Sequence, residues 1–329
     1  MVSSKTSNVV SGLFVEKLKP KEFKDMIMLP RLRSALNTST DKLDLHYLLA
    51  GSAGLGKTTA ARIITSKYST LFLNISEDGN IDTIREKITK WCSSVSLSDD
   101  GKPRIKCVVL DEMDGASDAF YKGLRGTIEK FQKQSRFVGT CNFINKIPEP
   151  IISRFTVINF NPTNAEEELY LQNEYIKRAT QILNICKIEN DNEMVTSFVK
   201  ACYPDMRKMT TEIQNMKISG ITKLTPELVN SAKFQYVDLY KLIANSNIGT
   251  DEFYKLLMGN YKEKYREILN SLGSEFLQWL SENFNDKYRK HLPEILNVTA
   301  EWQYKMNHLI DPALAMMACA FNLQGIIKK

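Results

Sequence analysis

The residues best suited to chemistry lie in an eight-residue stretch, Gly51-Ser-Ala-Gly-Leu-Gly-Lys-Thr58. Its pattern, G-x-x-x-x-G-K-[ST], lets the backbone turn its N–H groups inward around phosphate oxygens, and a following helix start adds a favourable dipole. Lys57 would bring positive charge to the outer phosphates, and Thr58 a hydroxyl ligand for Mg²⁺. The stretch therefore predicts a phosphate-binding loop. Its expected ligand-binding residues are Gly51, Ser52, Ala53, Gly54, Leu55, Gly56, Lys57, Thr58 and the next residue, Thr59.

A second chemical pair, Asp111 and Glu112, ends the apolar run Cys107-Val-Val-Leu110. Asp111 is suited to hold Mg²⁺ directly or through water, and Glu112 to polarise an attacking water as general base. By itself an apolar run that ends in Asp-Glu is a weak pattern, because strands often end in a solvated acidic turn. Its place about 50 residues after the phosphate-binding loop favours a metal-assisted hydrolytic site.

The elements that must position these residues are visible in the first half of the chain. Short segments rich in β-branched and aliphatic residues alternate there with helical or polar connections, as is typical of a parallel sheet covered by helices. Near-continuous apolar runs suit strands that are buried on both faces. The predicted strands are His46–Ala50, Thr70–Ile75, Ile105–Leu110, Arg136–Thr140 and Thr156–Phe160.

After Pro162 the pattern becomes helical. Thr163-Asn-Ala-Glu166 predicts a capping box, and Asp191 and Pro204-Asp205 predict two further helix starts. Another change of pattern near residues 223–230 precedes a longer helical region. The chain is therefore expected to be α/β followed by all-α, in three parts: residues 1–161, 162–230 and 231–329.

The last of these parts carries apolar residues at spacings of three and four, which predicts a stripe on one helix face. Such a stripe is more typical of a core or a subunit contact than of a cofactor site. The stripe consists of Phe253, Leu257, Tyr261, Tyr265, Leu269, Leu272, Phe276 and Trp279.

Composition narrows the class of protein. The 329 residues carry a formal net charge of +6, which is compatible with a nucleic-acid partner but equally with a solvated basic surface. No C-x-x-C pair occurs among six cysteines, which disfavours a structural zinc site, and Cys107 and Cys141 are expected to be buried thiols. Neither a signal peptide nor a membrane-spanning stretch is evident, so we expect a soluble, intracellular protein with no membrane partner.

Together these motifs resemble those of the AAA+ ATPases, and more closely those of the clamp-loader branch, which includes replication factor C small subunits and the T-even phage loader. The resemblance covers about residues 13–220. It implies ATP and Mg²⁺ as cofactors, a P-loop AAA+ domain over 1–161, a helical lid over 162–230 and a helical collar over 231–329. Glu16-Lys17-Leu-Lys-Pro20 resembles the family's E-K-Y-R-P entry segment, which lies over the adenine, with Leu18 in place of the usual tyrosine.

Three further residues acquire roles only through this resemblance. Asn142 matches the sensor-1 position, which hydrogen-bonds the γ-phosphate or orients the lytic water; Asn at the end of a strand is also common in turns. Ser153-Arg154 resembles the S-R-C motif, whose arginine reaches into the neighbouring subunit's ATP site, although Phe155 replaces the cysteine. Arg207 matches the sensor-2 arginine of the lid, which couples nucleotide state to lid angle. For both arginines the alternative is an ordinary surface ion pair.

The resemblance also implies partners: a sliding clamp, primer–template DNA, further copies of the chain and a distinct companion subunit. ATP binding would hold the clamp open, and contact with DNA would trigger hydrolysis and release. Residues 80–85 resemble the family's I-D-x-x-R segment, and residues 124–129 its L-R-R-T-M-E helix. The candidate DNA-phosphate contacts are Arg85, Lys87, Lys122 and Arg125, with solvated helix surface as the alternative. The expected location is the cytoplasm, that of the host if a phage encodes the chain.

Two other functions are alternatives to this interpretation. One is another AAA+ machine, such as a helicase loader or a branch-migration motor. Such proteins usually carry a recognisable DNA-binding module in their last hundred residues, and the absence of one from this sequence argues against that function. The other is a subunit that binds nucleotide without hydrolysing it, which the intact Glu112 disfavours.

Overall fold

The computed structural model divides the chain into two compact units, Met1–Pro226 and Glu227–Lys329. Among the residues described, none of the helices has the length and apolar character needed to cross a bilayer. The described residues are 13–41, 43–95, 105–234, 236–244, 250–261, 264–284, 290–306 and 311–327.

A five-stranded, all-parallel sheet lies at the centre of the first unit, with the strand order β2-β3-β4-β1-β5. Because all strands run in one direction, their carboxyl ends share one edge, where open α/β sheets bind their ligands. The predicted α/β fold is confirmed, with every strand boundary within about one residue of its predicted place. The strands are β1 (Tyr47–Ala50), β2 (Ser69–Asn74), β3 (Lys106–Asp111), β4 (Ser135–Cys141) and β5 (Thr156–Asn159).

Both faces of the sheet are covered. In β1, Tyr47 and Leu49 belong to one apolar cluster, whereas Leu48 and Ala50 belong to the cluster on the other face. This alternation follows from the two-residue period of a strand, and it explains why the whole segment is apolar. Cys107 and Cys141 are buried, as expected.

The helices of the first unit lie around this sheet and after it. A π-helical turn, Thr83–Ile88, runs directly into one of them. They are α1 (Phe14–Lys17), α2 (Pro30–Asp41), α3 (Lys57–Thr65), α4 (Ile75–Asp78), α5 (Thr89–Ser93), α6 (Asp118–Phe131), α7 (Glu149–Ile152), α8 (Ala165–Ile185), α9 (Asn192–Cys202) and α10 (Met206–Ile218).

Two predicted helix starts are confirmed and one is wrong by a residue. Asp191 caps α9 and Asp205 caps α10, each by accepting hydrogen bonds from backbone N–H groups of the first turn. The start of α8 is capped by Asn164, not by Thr163, and its carboxylate is Glu167, not Glu166. The shift arises because Glu167 reaches back to both the N–H and the hydroxyl of Thr163.

The second unit is built from helices around its own apolar core. The expectation of a single stripe on one helix face is wrong: seven of the stripe residues lie on three helices and Tyr261 lies between two of them, although most of the stripe residues are buried together. Turns close at Gly273 and Ser274, where the N–H groups bond three residues back and end the preceding helix. The helices from Pro226 onward are α11 (Pro226–Lys233), α12 (Val237–Ala244), α13 (Thr250–Asn260), α14 (Tyr265–Leu272), α15 (Glu275–Asn283), α16 (Leu292–Met306) and α17 (Pro312–Ile327).

Candidate functional site

The loop Gly51–Thr58 joins the carboxyl end of β1 to the start of α3. Gly54 and Gly56 have φ values of 78° and 87°, in the left-handed region that glycine adopts without strain. A Cβ on Gly54 would also overlap the backbone and carboxylate of Asp205, at the start of α10. Glycine at position 54 therefore meets two demands, one of conformation and one of space.

Lys57 is the buried cation of this loop, with only 7% of its surface exposed. Its Nζ donates to the carbonyl oxygens of Gly51 (2.7 Å) and Ser52 (2.8 Å) and to Oδ1 of Asn142 (2.8 Å). Burial lowers the pKa of the Lys57 ammonium, and neighbouring carboxyl groups act against that shift. The ammonium is thus surrounded by oxygen acceptors at the place where phosphate oxygens would bind.

The two candidate metal ligands, Thr58 and Asp111, lie together. Asp111 Oδ1 accepts a hydrogen bond from Thr58 Oγ1 at 2.8 Å and another from Thr140 Oγ1 at 2.6 Å. The Thr140 hydroxyl oxygen in turn accepts from the N–H of Glu112 at 3.0 Å. Neighbouring strands β3 and β4 therefore fix the position of the acidic pair relative to the first turn of α3.

Glu112 has an unusual backbone for a non-glycine residue, with φ 56° and ψ 48°. Such a conformation is uncommon and costs on the order of 1 kcal/mol, and it is enriched at active sites. It turns the chain sharply at the end of β3, and the exposed Glu112 side chain lies on the wall of the site cavity. A carboxylate in this position can accept a proton from a water in the cavity.

Sequence reasoning overlooked Asp114. Its Oδ2 accepts hydrogen bonds from the backbone N–H groups of Asn142 (3.2 Å) and Phe143 (3.1 Å), so it fixes the turn that follows β4. The D-E-x-D spacing of Asp111, Glu112 and Asp114 was the available indication, since it places a third carboxylate at the same end of the sheet.

A cavity of about 470 Å³ opens beside the loop. Arg207 and Glu16 line it, whereas Lys17, next to Glu16, is not among its lining residues. Residues 53–59 of the loop also line it, and the carbonyls of Gly51 and Ser52 face Lys57 instead. Arg178, a half-buried cation of α8 that lines the cavity, could not be recognised from the sequence, because an arginine on a helix is usually solvated.

Arg154 is not part of this cluster. It precedes β5, whereas the phosphate-binding loop follows β1, the parallel neighbour of β5, so the two lie at opposite edges of the sheet. Its guanidinium pairs with Glu129 and bonds the carbonyl of Pro150, and its buried Nε has no hydrogen-bond partner within the described part of the chain. Arg154 therefore cannot serve the site of its own chain.

The four candidate DNA contacts are exposed and occupy two helical elements. Arg85 and Lys87 lie on the π-helical turn, and Lys122 and Arg125 on α6. The two elements pack against each other through apolar side chains of a shared cluster. Lys87 pairs with Asp78 at 2.8 Å, and Arg125 pairs with Glu129 at 3.6 Å. Exposed pairs of this kind are weak, so the cations remain available to an anionic partner.

Known proteins resemble this chain in sequence and in fold. The family "ATPase family associated with various cellular activities (AAA)" matches residues 47–163, which include the loop, the acidic pair, Asn142 and Arg154. A replication factor C small subunit of Sulfurisphaera tokodaii is 30% identical over 277 residues, covering 79% of this chain and 77% of that protein. Human replication factor C subunit 4 is 32% identical over 233 residues, covering 66% and 61%.

The solved structures support the same fold. The Thermotoga maritima RuvB Holliday junction branch migration motor matches with a TM-score of 0.51 and 20% identity, over 87% of this chain and 92% of that one. At this identity the likeness concerns the fold alone. The sequence relatives and the family match together show that the chain belongs to the AAA ATPases, as a clamp-loader ATPase of the replication factor C small-subunit type.

Proposed function

We propose that the chain is an ATPase subunit of a DNA sliding-clamp loader, which uses ATP to open a ring-shaped clamp and load it onto primer–template DNA. One observation carries the proposal. Three distant segments meet at one edge of the sheet through hydrogen bonds of 2.8 Å, because Lys57 bonds Asn142 and the adjacent Thr58 bonds Asp111. The replication factor C relatives support the clamp and the DNA as partners.

The residues of the site fit ATP with Mg²⁺. Mg²⁺ uses one or two protein oxygens together with phosphates and waters, and Thr58 and Asp111 offer two such oxygens. When bound, it would neutralise charge on the phosphates. Lys57 binds the outer phosphate oxygens, Glu112 accepts the proton of the attacking water, and Asn142 orients that water.

The remainder of the cavity fits a nucleoside. Apolar side chains of Val15, Leu18, Ile27 and Ile182 line it, which suits a base. Arg207 adds positive charge beside the loop and serves as the sensor of the γ-phosphate. Of the pair proposed for the entry segment, Glu16 is the better supported, because it lines the cavity.

Hydrolysis in this proposal depends on assembly. Since Arg154 lies at the opposite edge of the sheet from Lys57, it would complete the site of a neighbouring copy, where a guanidinium stabilises charge on the transferred phosphoryl group. Residues 1–161 form the nucleotide domain, 162–230 the lid and 231–329 the collar of the oligomer. Arg85, Lys87, Lys122 and Arg125 contact the phosphates of the duplex.

The decisive experiment is a steady-state ATPase assay of the chain with its companion subunits, alone, with primed DNA, with a sliding clamp and with both. The proposal expects the highest rate with both, and no gain from unprimed single strands. Absence of measurable ATP·Mg²⁺ binding by calorimetry would overturn the nucleotide site itself. Hydrolysis indifferent to both primed DNA and clamp would instead favour another AAA+ motor, such as a helicase loader or a branch-migration ATPase.

A further inference from the structure

The segment that joins β5 to α8, residues Asn159–Asn164, is here called the hinge segment. Its Phe160 is buried, and the N–H of Phe160 bonds the carbonyl of Ala50 at 2.7 Å. Ala50 is the last residue of β1, immediately before the phosphate-binding loop. The hinge segment therefore begins beside the loop and ends at the helix that opens the proposed lid.

Asn161 connects the two directly. Its Oδ1 accepts a hydrogen bond from the N–H of Ser52 at 2.8 Å, while the carbonyl of Ser52 accepts from Lys57 at 2.8 Å. The approach is close: a Cβ on Gly51 would lie 3.0 Å from Cβ of Phe160 and 3.1 Å from Oδ1 of Asn161. Ser52 is thus held on one side by the cation that would bind phosphate and on the other by the hinge segment.

Arg31, on α2, fixes the other side of the hinge segment. Its guanidinium donates to the carbonyl oxygens of Asn159 (2.8 Å) and Asn161 (2.7 Å), and its Nε donates to Oε1 of Glu167 at 2.8 Å. Glu167, in the first turn of α8, also accepts from the N–H of Thr163 at 2.8 Å. A planar guanidinium that spans these acceptors leaves the segment little freedom to absorb a displacement locally.

The charge state of Glu167 agrees with this arrangement. The hydrogen bond from Arg31, together with those from Thr163, lowers the pKa of the Glu167 carboxyl to about 2. The carboxylate is therefore ionised at any pH at which the protein works, and its contact with Arg31 is a charge-assisted hydrogen bond.

We propose that Asn161 is a positioning residue that transmits occupancy of the phosphate-binding loop to the first turn of α8. Phosphate oxygens that engage Lys57 compete with its bond to the Ser52 carbonyl, and a shift of the Ser52 peptide moves its N–H relative to Asn161. Since Arg31 joins the Asn161 carbonyl to Glu167, the shift reaches α8. A ligand displaces an equilibrium only through contacts that differ between the two states, and the exchange of the Lys57 bond from the Ser52 carbonyl to phosphate would be that difference.

This inference rests on the proposed ATP site, but its route is separate from the one through α10, where Asp205 meets Gly54 and Arg207 lines the cavity. The two routes are separable because Asn161 touches neither residue of α10 in the hydrogen bonds described. An Asn161→Ala chain therefore retains Lys57, Arg207 and the direct contacts to nucleotide.

The test is hydrogen–deuterium exchange of the full chain with and without a slowly hydrolysed ATP analogue and Mg²⁺. In the natural chain, the analogue should slow exchange of the amides of residues 163–168 by about tenfold. Asn161→Ala should bind the analogue within about fivefold of the natural affinity, yet lose that protection. The matched control is Asn184→Ala, which changes an exposed asparagine in the last turn of α8 and should keep the protection of residues 163–168.

A second variant guards against misfolding. Arg31→Lys keeps the charge but cannot reach all of these acceptors, so it should also lose the protection while it retains a natural circular dichroism spectrum. Unchanged protection in either variant would overturn the role of Asn161. If the natural chain fails to bind the analogue, the proposed ATP site is itself wrong, an outcome that direct binding measurements distinguish from a failure of the coupling.

Discussion

Thr58 and Asp111 lie 2.8 Å apart, hydroxyl to carboxylate, although 53 positions separate them in the chain. Thr58 belongs to the first turn of α3 and Asp111 to the end of β3. The contact exists because β1 and β3, both parallel, deliver their carboxyl ends to one edge with only β4 between them. The two protein oxygens that Mg²⁺ would need therefore lie side by side in the folded chain itself.

Removal of the loop cation should abolish nucleotide binding. In Lys57→Ala the phosphates lose their buried partner, and we expect calorimetry to detect no ATP·Mg²⁺ binding. Glu112→Gln is the matched control: it should bind ATP normally while turnover falls by about 10²–10⁴-fold, as for loss of a general base. Tight binding of ATP·Mg²⁺ by Lys57→Ala would show that the phosphate-binding loop is misassigned.

Arg154→Ala should separate binding from assembly-dependent hydrolysis. Nucleotide affinity should stay unchanged, because Arg154 lies away from its own site, whereas DNA-stimulated turnover should fall by about 10³-fold or more. Lys133→Ala, which removes an exposed cation just after α6, should turn over normally. The measurement is the ATPase rate of the assembled loader with primed DNA, and an unchanged rate in Arg154→Ala would exclude a role for Arg154 in the ATP site of a neighbouring copy.

DNA affinity should fall steeply with salt, because the contacts are to phosphates. Arg85→Ala and Lys122→Ala should each weaken binding of any duplex sequence and reduce the salt slope by about one. Fluorescence anisotropy at several salt concentrations measures both quantities. Lys177→Ala, an exposed cation of α8 paired with Glu174, should leave the slope as it is. If the DNA affinity of the natural chain does not change with salt concentration, the proposed contacts to the phosphates of the duplex are wrong.

Stability should decline in mild acid through His46. Burial, with a smaller contribution from Arg136, lowers the pKa of His46 to about 4, and its Nδ1 accepts the N–H of Phe137 at 3.0 Å. Between about pH 6.5 and 4 the unfolded chain binds a proton that the folded chain does not, so the free energy of unfolding falls as pH falls through this window, by about 2 kcal/mol once the partial exposure of the imidazole is allowed for. We expect the Tm, measured by thermal denaturation from pH 7 to 4, to fall less steeply with decreasing pH in His46→Asn than in the natural chain.

Much of the site follows from the sequence because the residues concerned are tied to strand ends. Once β1, β3 and β4 are recognised by their apolar runs, parallel pairing brings Lys57, Asp111 and Asn142 to the same edge. Which residues then bond to which could not be predicted. Asp114, for example, stands in an acidic turn of ordinary appearance, and only the fold places its carboxylate under the backbone of Asn142.

The errors share a cause as well. At the start of α8, Glu167 accepts hydrogen bonds from Thr163 and also from Arg31, which is 136 positions away, and local capping rules do not include such a distant partner. The stripe from Phe253 to Trp279 satisfies helical spacing throughout, yet turns interrupt it. The periodicity of apolar residues does not reveal that the chain changes direction at these turns. In neither case does the local sequence pattern alone determine where a helix begins or ends.

In the proposed assembly, the separation of Arg154 and Lys57 across the sheet gives every chain two unlike faces: a donor face that would supply Arg154 and an acceptor face that would hold the nucleotide. Contacts between unlike faces are heterologous, and a row of such copies has polarity. Unless the row closes on itself, its first acceptor lacks a donor and its last donor has no acceptor. An open row built from this chain alone would thus contain one catalytic centre fewer than it has copies, and its terminal faces are where a different protein could cap the assembly.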